Sequence, residues 1–270
     1  LSLTNNQRKK TSPHTIGIFT TCSERLFRPS VIDAVRVLID HKRFQINNAI
    51  DIGCCGLSDI KFSETEAALK NVQQVASRFT HTDYIITTSQ YCQDTLYQGA
   101  KILAKNNPSQ AQHYKTFARK IVGLCPFLMK NDMVLNSPCK NIRTKLAVLS
   151  LSSTPHLFGG VQPISLLFKS FDHVSVIDVP EVLAEHINFD NKSIPTPAMS
   201  KQQVKKYVRD LIASGAGLLV GEEISLLFEV ASELKRQGSA IEVRHYAEVL
   251  AGKFDLPPLG ARRKATVDKD

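Results

Sequence analysis

The 270-residue chain has no tryptophan, few aromatics (7%) and no cysteine after Cys139. Sparse aromatics remove the stacking platforms on which single-stranded nucleic acids are held. The formal charge of +9 is therefore not read as a nucleic-acid footprint. No apolar run approaches the ~20 residues that a membrane helix needs, so no transmembrane segment is expected and the protein reads as soluble or peripheral. A full G-x-G-x-x-G, a Walker lysine and a nucleophile–base pattern are all missing, which makes a self-contained enzyme the least supported class. The chain also lacks a secretory signal and is long enough to bury a sizeable core without staples, so a disulfide framework is not expected.

The positive charge concentrates at the ends, in Arg8 to Lys10 and Arg262 to Lys264, and along the helical stretch Lys201 to Lys206. Solvated faces and tails account for it, and an acidic partner, an anionic membrane surface or the mitochondrial matrix would each suit it. Residues 1–14 form a basic tail and residues 253–270 a C-terminal tail. Neither stretch 1–14 nor 257–270 has hydrophobic periodicity, so both are expected to order only against a partner.

Between the tails, apolar strand-like runs alternate with amphipathic helical ones, the βαβ pattern of parallel sheets. The first half, 15–144, reads as strand 15–21, helix 30–41, strand 45–52, helix 63–79, strand 83–88 and helix 90–105, then helix 110–121 and a connection over 122–144. The second, 145–252, reads as strand 145–151, helix 160–169, strand 173–178, helix 200–214, strand 217–221, helix 223–237 and strand 240–245. The expected fold is α/β, with two similar Rossmann-like halves, parallel sheets, and the site in the cleft between their strand ends.

Four of the six cysteines fall into one spaced pattern, C-x31-C-C-G-x35-C, formed by Cys22, Cys54, Cys55 and Cys92. Each follows an apolar run, Ile16 to Phe19, Ala49 to Ile52 or Tyr84 to Thr87. If those runs are parallel strands, all four sulfurs gather at the carboxyl edge of one sheet. Clustered thiolates suit zinc or an iron–sulfur cluster. Neighbouring residues cannot easily share one ion, whereas a cluster offers separate iron atoms, and four thiolates would also satisfy a closed zinc site. The bland reading is four buried apolar thiols. Cys125 and Cys139 lie outside the pattern and are taken as bystanders.

The spacing and its setting resemble the cysteine-rich CCG domain found in heterodisulfide reductase (its B chain), the glycolate oxidase iron–sulfur subunit, the E-type succinate dehydrogenase subunit and the lactate-utilisation protein A family. The last is nearest in length and layout. The matching segments are Ile16 to Cys22, Ile52 to Gly56, Thr87 to Cys92 and, less specifically, Ile241 to Leu250. The resemblance implies an iron–sulfur cluster, a distorted non-cubane 4Fe-4S type, on Cys22, Cys54, Cys55 and Cys92. It implies an electron-transfer subunit of a lactate, glycolate or succinate dehydrogenase or heterodisulfide reductase-like assembly. The partners would be other subunits of that redox or respiratory complex, the membrane-associated kind included. The location would be the cytoplasm, including the periphery of the inner membrane, or alternatively the matrix side. Family members usually repeat the cysteines in the second half, which here keeps the architecture and loses the thiols. Ser152 to His156 stands where a cysteine beside a histidine would be expected, and Cys92 lacks its C-x-x-C partner at Thr95. A structural accessory subunit, with a degenerate or zinc-only site or no metal, is the alternative.

Three further features carry weaker signals. His156 at the head of the second half would serve as ligand or proton donor, but a solvated loop histidine is the commoner fate. Gly159 and Gly160 form a weak phosphate-turn signal. Glu222 and Glu223 follow a strand, and the simple account is that acidic residues in a first helical turn meet the helix dipole.

Overall fold

A computed structural model describes residues 13–47, 53–134, 137, 139, 142–149, 163–179 and 184–261. The first half opens with β1 (His14–Phe19), α1 (Cys22–Phe27), α2 (Ser30–Leu38), β2 (Phe44–Asn47), α3 (Leu57–Lys61), α4 (Thr65–Arg78) and β3 (Tyr84–Thr87). It continues through α5 (Gln90–Asn106), a 3-10 turn at Pro108–Gln110, α6 (Ala111–Lys120), β4 (Ile121–Gly123) and α7 (Leu124–Lys130). The second half holds β5 (Leu146–Val148), α8 (Pro163–Lys169), β6 (Val176–Ile177), β7 (Glu185–Phe189), β8 (Lys192–Thr196) and α9 (Lys201–Ala213). It closes with β9 (Leu218–Gly221), α10 (Ile224–Arg236), β10 (Glu242–His245) and α11 (Tyr246–Leu250).

The strands form two parallel four-stranded sheets, β2-β1-β3-β4 and β6-β5-β9-β10. In each, the second strand of the half lies at one edge and the first strand beside it, so the halves share one topology. This is the expected α/β architecture. Helices cover both faces, and the strands accordingly read as continuous apolar runs: Ile16 to Phe19 and all of β9 are buried. Ile16, Ile86, Leu219, Val220 and Leu250 lie in a core that runs from one half into the other.

The chain departs from the sequence reading in several places. Cys22 begins a short helix, α1, that the sequence reading did not contain and that Thr21 caps. The helix expected over 63–79 is α4, and a short helix that was not expected, α3, precedes it, with Ser63 between the two at a φ of 64°. The connection 122–144 contains β4's last residues and α7, and it buries Cys125 and Cys139. The antiparallel β7–β8 pair was not foreseen. It turns on Asp190 and Asn191, both at positive φ, the backbone that a two-residue primed turn requires. Phe189 and Ile194 pack from it onto Ile60, Ala68 and Ile102 of the first half.

Residues 253–261 are also not a loose tail. Arg244 is nearly enclosed, and its guanidinium needs acceptors: Glu242 takes Nε at 2.8 Å and the Leu256 carbonyl takes Nη1 at 2.7 Å. The Leu259 amide then donates to the Val243 carbonyl at 2.8 Å, and its side chain joins the core.

A buried ion pair joins the halves. Glu248 of α11 is 0% exposed; it accepts from Arg28 Nε at 2.8 Å and Nη2 at 3.0 Å, and from Ser30 Oγ at 2.5 Å. Such a bidentate contact fixes orientation as well as charge. Removing one partner strands the other charge in the protein, a loss of about 3–5 kcal/mol. Arg28→Met is expected to lower the unfolding free energy in urea by that order, and Arg28→Met/Glu248→Met to recover most of it.

Candidate functional site

The site is assembled at the carboxyl edge of the first sheet, from three turns that leave β1, precede α3 and leave β3. After β1, Thr21 and Glu24 cap α1 reciprocally: Thr21 Oγ1 accepts from the Glu24 amide at 3.2 Å, and Glu24 Oε2 accepts from the Thr21 amide at 2.9 Å. This capping box places Cys22 at the first helical position, with its side chain exposed. Before α3, the Gly53-Cys54-Cys55-Gly56 turn has positive φ at both glycines (77° and 91°). The Gly56 amide donates to Cys54 Sγ at 3.3 Å. A Cβ on Gly56 would lie 2.8 Å from Ala68 Cα, so the turn presses its backbone against α4. After β3, Ser89 caps α5, and its Oγ accepts from the Cys92 amide at 3.1 Å.

These turns bring the four predicted cysteines near enough that each thiol shifts the titration of the next, Cys22 with Cys54, Cys54 with Cys55 and Cys55 with Cys92. Exposure falls along this series, from exposed Cys22 through half-buried Cys54 to buried Cys55 and Cys92. All four thiols titrate above the ordinary range. For Cys22 the hydrogen bond to Cys54 is the main cause, followed by burial. Cys54 is held down by the bond from Cys22 but pushed further up by the bond to Cys55 and by burial. Cys55 receives a bond from Cys54, which the bond to Cys92 and burial outweigh. For Cys92 the bond from Cys55 is outweighed by burial and by the charge of Glu223. Thiolates form here only against a cation that offsets this penalty. Among the described residues, no three Cys, His, Asp or Glu side chains converge as ligands of a single ion. Cys125, raised by burial, and Cys139 take no part in the chain of thiols.

A polar seam from the second half faces these sulfurs. Glu223 is buried and its Oε1 accepts from Ser89 Oγ at 2.6 Å, so one hydroxyl links the Cys92 turn to the other half. Glu24 Oε1 accepts from Thr88 Oγ1. His245, fully buried, accepts from the Ala247 amide at Nδ1 (3.2 Å), which leaves its proton on Nε2 to donate to the Glu222 carbonyl at 3.1 Å. Burial lowers its pKa to about 3, so the ring is neutral and its 3.9 Å approach to Glu24 is not an ion pair. Burial raises Glu24, Glu222, Glu223 (to about 8) and Asp94 (to about 6).

The dipole account of Glu222 and Glu223 is thus corrected. Glu223 stands at the cap of α10 but makes no capping bond, and its carboxylate crosses to Ser89 instead. By strand order, β9–α10 is the counterpart of β3–α5, so this carboxylate pair fills the turn where the first half has Thr88 and Ser89. Thr21-x-x-Glu24 was a legible capping-box signal that the sequence reading missed. Nothing local in the sequence marks Ser89, Thr88 or His245 as its neighbours. His156, Gly159 and Gly160 lie outside the described residues.

A domain of this kind has a family pattern, and residues 16–97, which hold all four cysteines, match the cysteine-rich domain CCG. Over nearly its whole length the chain is similar to lactate utilization protein A of Shouchella clausii (strain KSM-K16), at 25% identity over 247 residues, 88% of this chain and 99% of that protein. It is also similar to lactate utilization protein A of Bacillus subtilis (strain 168), at 23% identity over 239 residues, 87% of this chain and 98% of that one. Among solved structures, a putative Asp/Glu racemase from Yersinia pestis aligns over 89% of this chain and 96% of its own, with a TM-score of 0.31 and 8% identity.

Gly56→Ala combines a disfavoured φ with a clash against α4, each costing about 1–3 kcal/mol. It is expected to lower the thermal midpoint and to disturb the Cys54–Cys55 turn, whereas Gly53→Ala, which meets nothing within 4 Å, costs only the φ term. Thermal melts of the two variants compare them directly.

Proposed function

We propose that the protein is an iron–sulfur electron-transfer subunit of a lactate-utilising redox system, with Cys22, Cys54, Cys55 and Cys92 as cluster ligands. The observation that carries this reading is the continuous chain of four thiols at one sheet edge. The similarity to lactate utilization protein A supports the substrate, and the cysteine-rich domain supports the ligand set.

The donor set fits a polynuclear cluster better than one ion. A single tetrahedral zinc would need all four sulfurs about 2.3 Å from a common point, whereas these side chains lie in sequence and the adjacent Cys54 and Cys55 suit separate metal atoms. With every thiol pushed up, a metal cation is the charge that would stabilise them as thiolates. When bound, such a cluster supplies one-electron storage and transfer. The chain's residues supply the setting: Gly56 gives an amide to Cys54, Ser89 fixes the turn of Cys92, and the enclosed Cys55 and Cys92 exclude water. Cys22 forms the outward edge, the shortest route for electrons to a partner. The partners are other subunits of the redox system. Among the described residues no helix is long and apolar enough to cross a membrane, so membrane attachment would come through those subunits or a peripheral contact.

Protein purified without oxygen is expected to contain about four iron atoms and four acid-labile sulfides per chain. An electron paramagnetic resonance signal should change on adding L-lactate with the partner subunits. Cys54→Ser and Cys55→Ser should each abolish metal and signal, while Cys125→Ala keeps both. Zinc alone, or unchanged iron in the Cys54 and Cys55 variants, would move the assignment to an accessory subunit that retains the fold without the chemistry.

A further inference from the structure

Away from the cysteines, residues of α5 and α6 line a groove of about 550 Å³, within the range of small-molecule sites. Its floor is made by small residues, Ala100, Ala104 and Ala118, and its walls by Tyr97 and Tyr114. Four cations, Lys101, Lys105, Lys115 and Arg119, stand around it, and none of the described residues that line it carries a carboxylate. Lys101 Nζ lies 5.0 Å from the centre of the Tyr97 ring, which is itself 42% exposed.

Four like charges round an apolar hollow repel one another, and the low-dielectric floor concentrates their field over the cavity. A solvated face has no need of the hollow, and an apolar ligand has no need of the charges. The two together are complementary to a molecule with an apolar body and an anionic head. The recess also distinguishes its occupant: a flat bilayer surface cannot enter a concave groove between two helices, whereas a single chain can lie along it.

We propose that the α5–α6 groove binds a free anionic amphiphile of the fatty-acid class, its chain on the alanine floor between the tyrosines and its carboxylate among the lysines. The groove lies on the same helix that carries Cys92 at its first turn, but the inference does not depend on the cluster.

Because the chain has no tryptophan, Tyr97→Trp places a single tryptophan, excited selectively at wavelengths beyond tyrosine absorption, in the groove wall of the whole protein. Monomeric oleate should shift its emission to the blue and saturate at one molecule per chain. Acetate, which lacks the chain, should give no shift, and uncharged oleyl alcohol should bind about tenfold more weakly or worse. In the same background, Lys101→Glu/Lys105→Glu should raise the oleate Kd by about tenfold, the worth of reversing two partly shielded charges. Ala104→Phe, which fills the floor, should abolish the shift with circular dichroism unchanged. The proposal is overturned by no saturable response to oleate, by equal affinity for the alcohol, by indifference to both sets of substitutions, or by a response only to phosphatidylglycerol vesicles.

Discussion

The buried charge of Glu248 is the constraint on which the arrangement of the two halves depends. A carboxylate with no exposure must be met by hydrogen bonds and an opposite charge or it would destabilise the fold. Arg28 and Ser30 meet it from the other half. Arg28 follows α1 directly, and α1 begins at Cys22. The same contact that docks α2 on α11 therefore sets where the first thiol of the site stands relative to the second half. Packing alone would hold the sheets together but would tolerate sliding; a bidentate pair with a third hydrogen bond tolerates much less.

Around that pair the two sheets turn their carboxyl edges toward each other, and the polar groups that such edges carry are satisfied both across the seam and within the first half. Ser89 caps the helix of Cys92 and donates across the seam to Glu223; within the first half Thr88 donates to Glu24, which in turn caps the helix of Cys22. The turns that bear Cys22 and Cys92 are thus each tied to a buried carboxyl group. The second half has no cysteines after Cys139, yet it contributes Glu223 to this scaffold and His245 beside it. A half without cysteines is therefore still part of the site.

The parallel sheets and the site's cysteines were legible because both are local or periodic signals. Ile16 to Phe19 and Tyr84 to Thr87 read as buried strands because both faces are covered, and four cysteines following such runs had to share an edge if the sheet was parallel. Other elements were harder to read. Cys125 falls in what reads as a connection over 122–144, which contains Pro126 and Pro138, but Pro126 sits within the first turn of α7, where a missing amide proton costs nothing. The β7–β8 pair was hidden by charged and polar residues on its outer face, though Ile187, Phe189 and Ile194 alternate as a half-buried strand should.

The sequence by itself determined the α/β class, the repeated halves and which four thiols could gather, since periodicity and spacing act along the chain. Tertiary structure alone decided the order of those thiols, from exposed Cys22 to buried Cys92, and the carboxylate seam that faces them. It also decided the closeness of Ser89 and Glu223, which are 134 positions apart. Such contacts depend on how two separately patterned sheets dock, and the free energy of docking is spread over a core and a buried ion pair whose members carry no local mark of their partners.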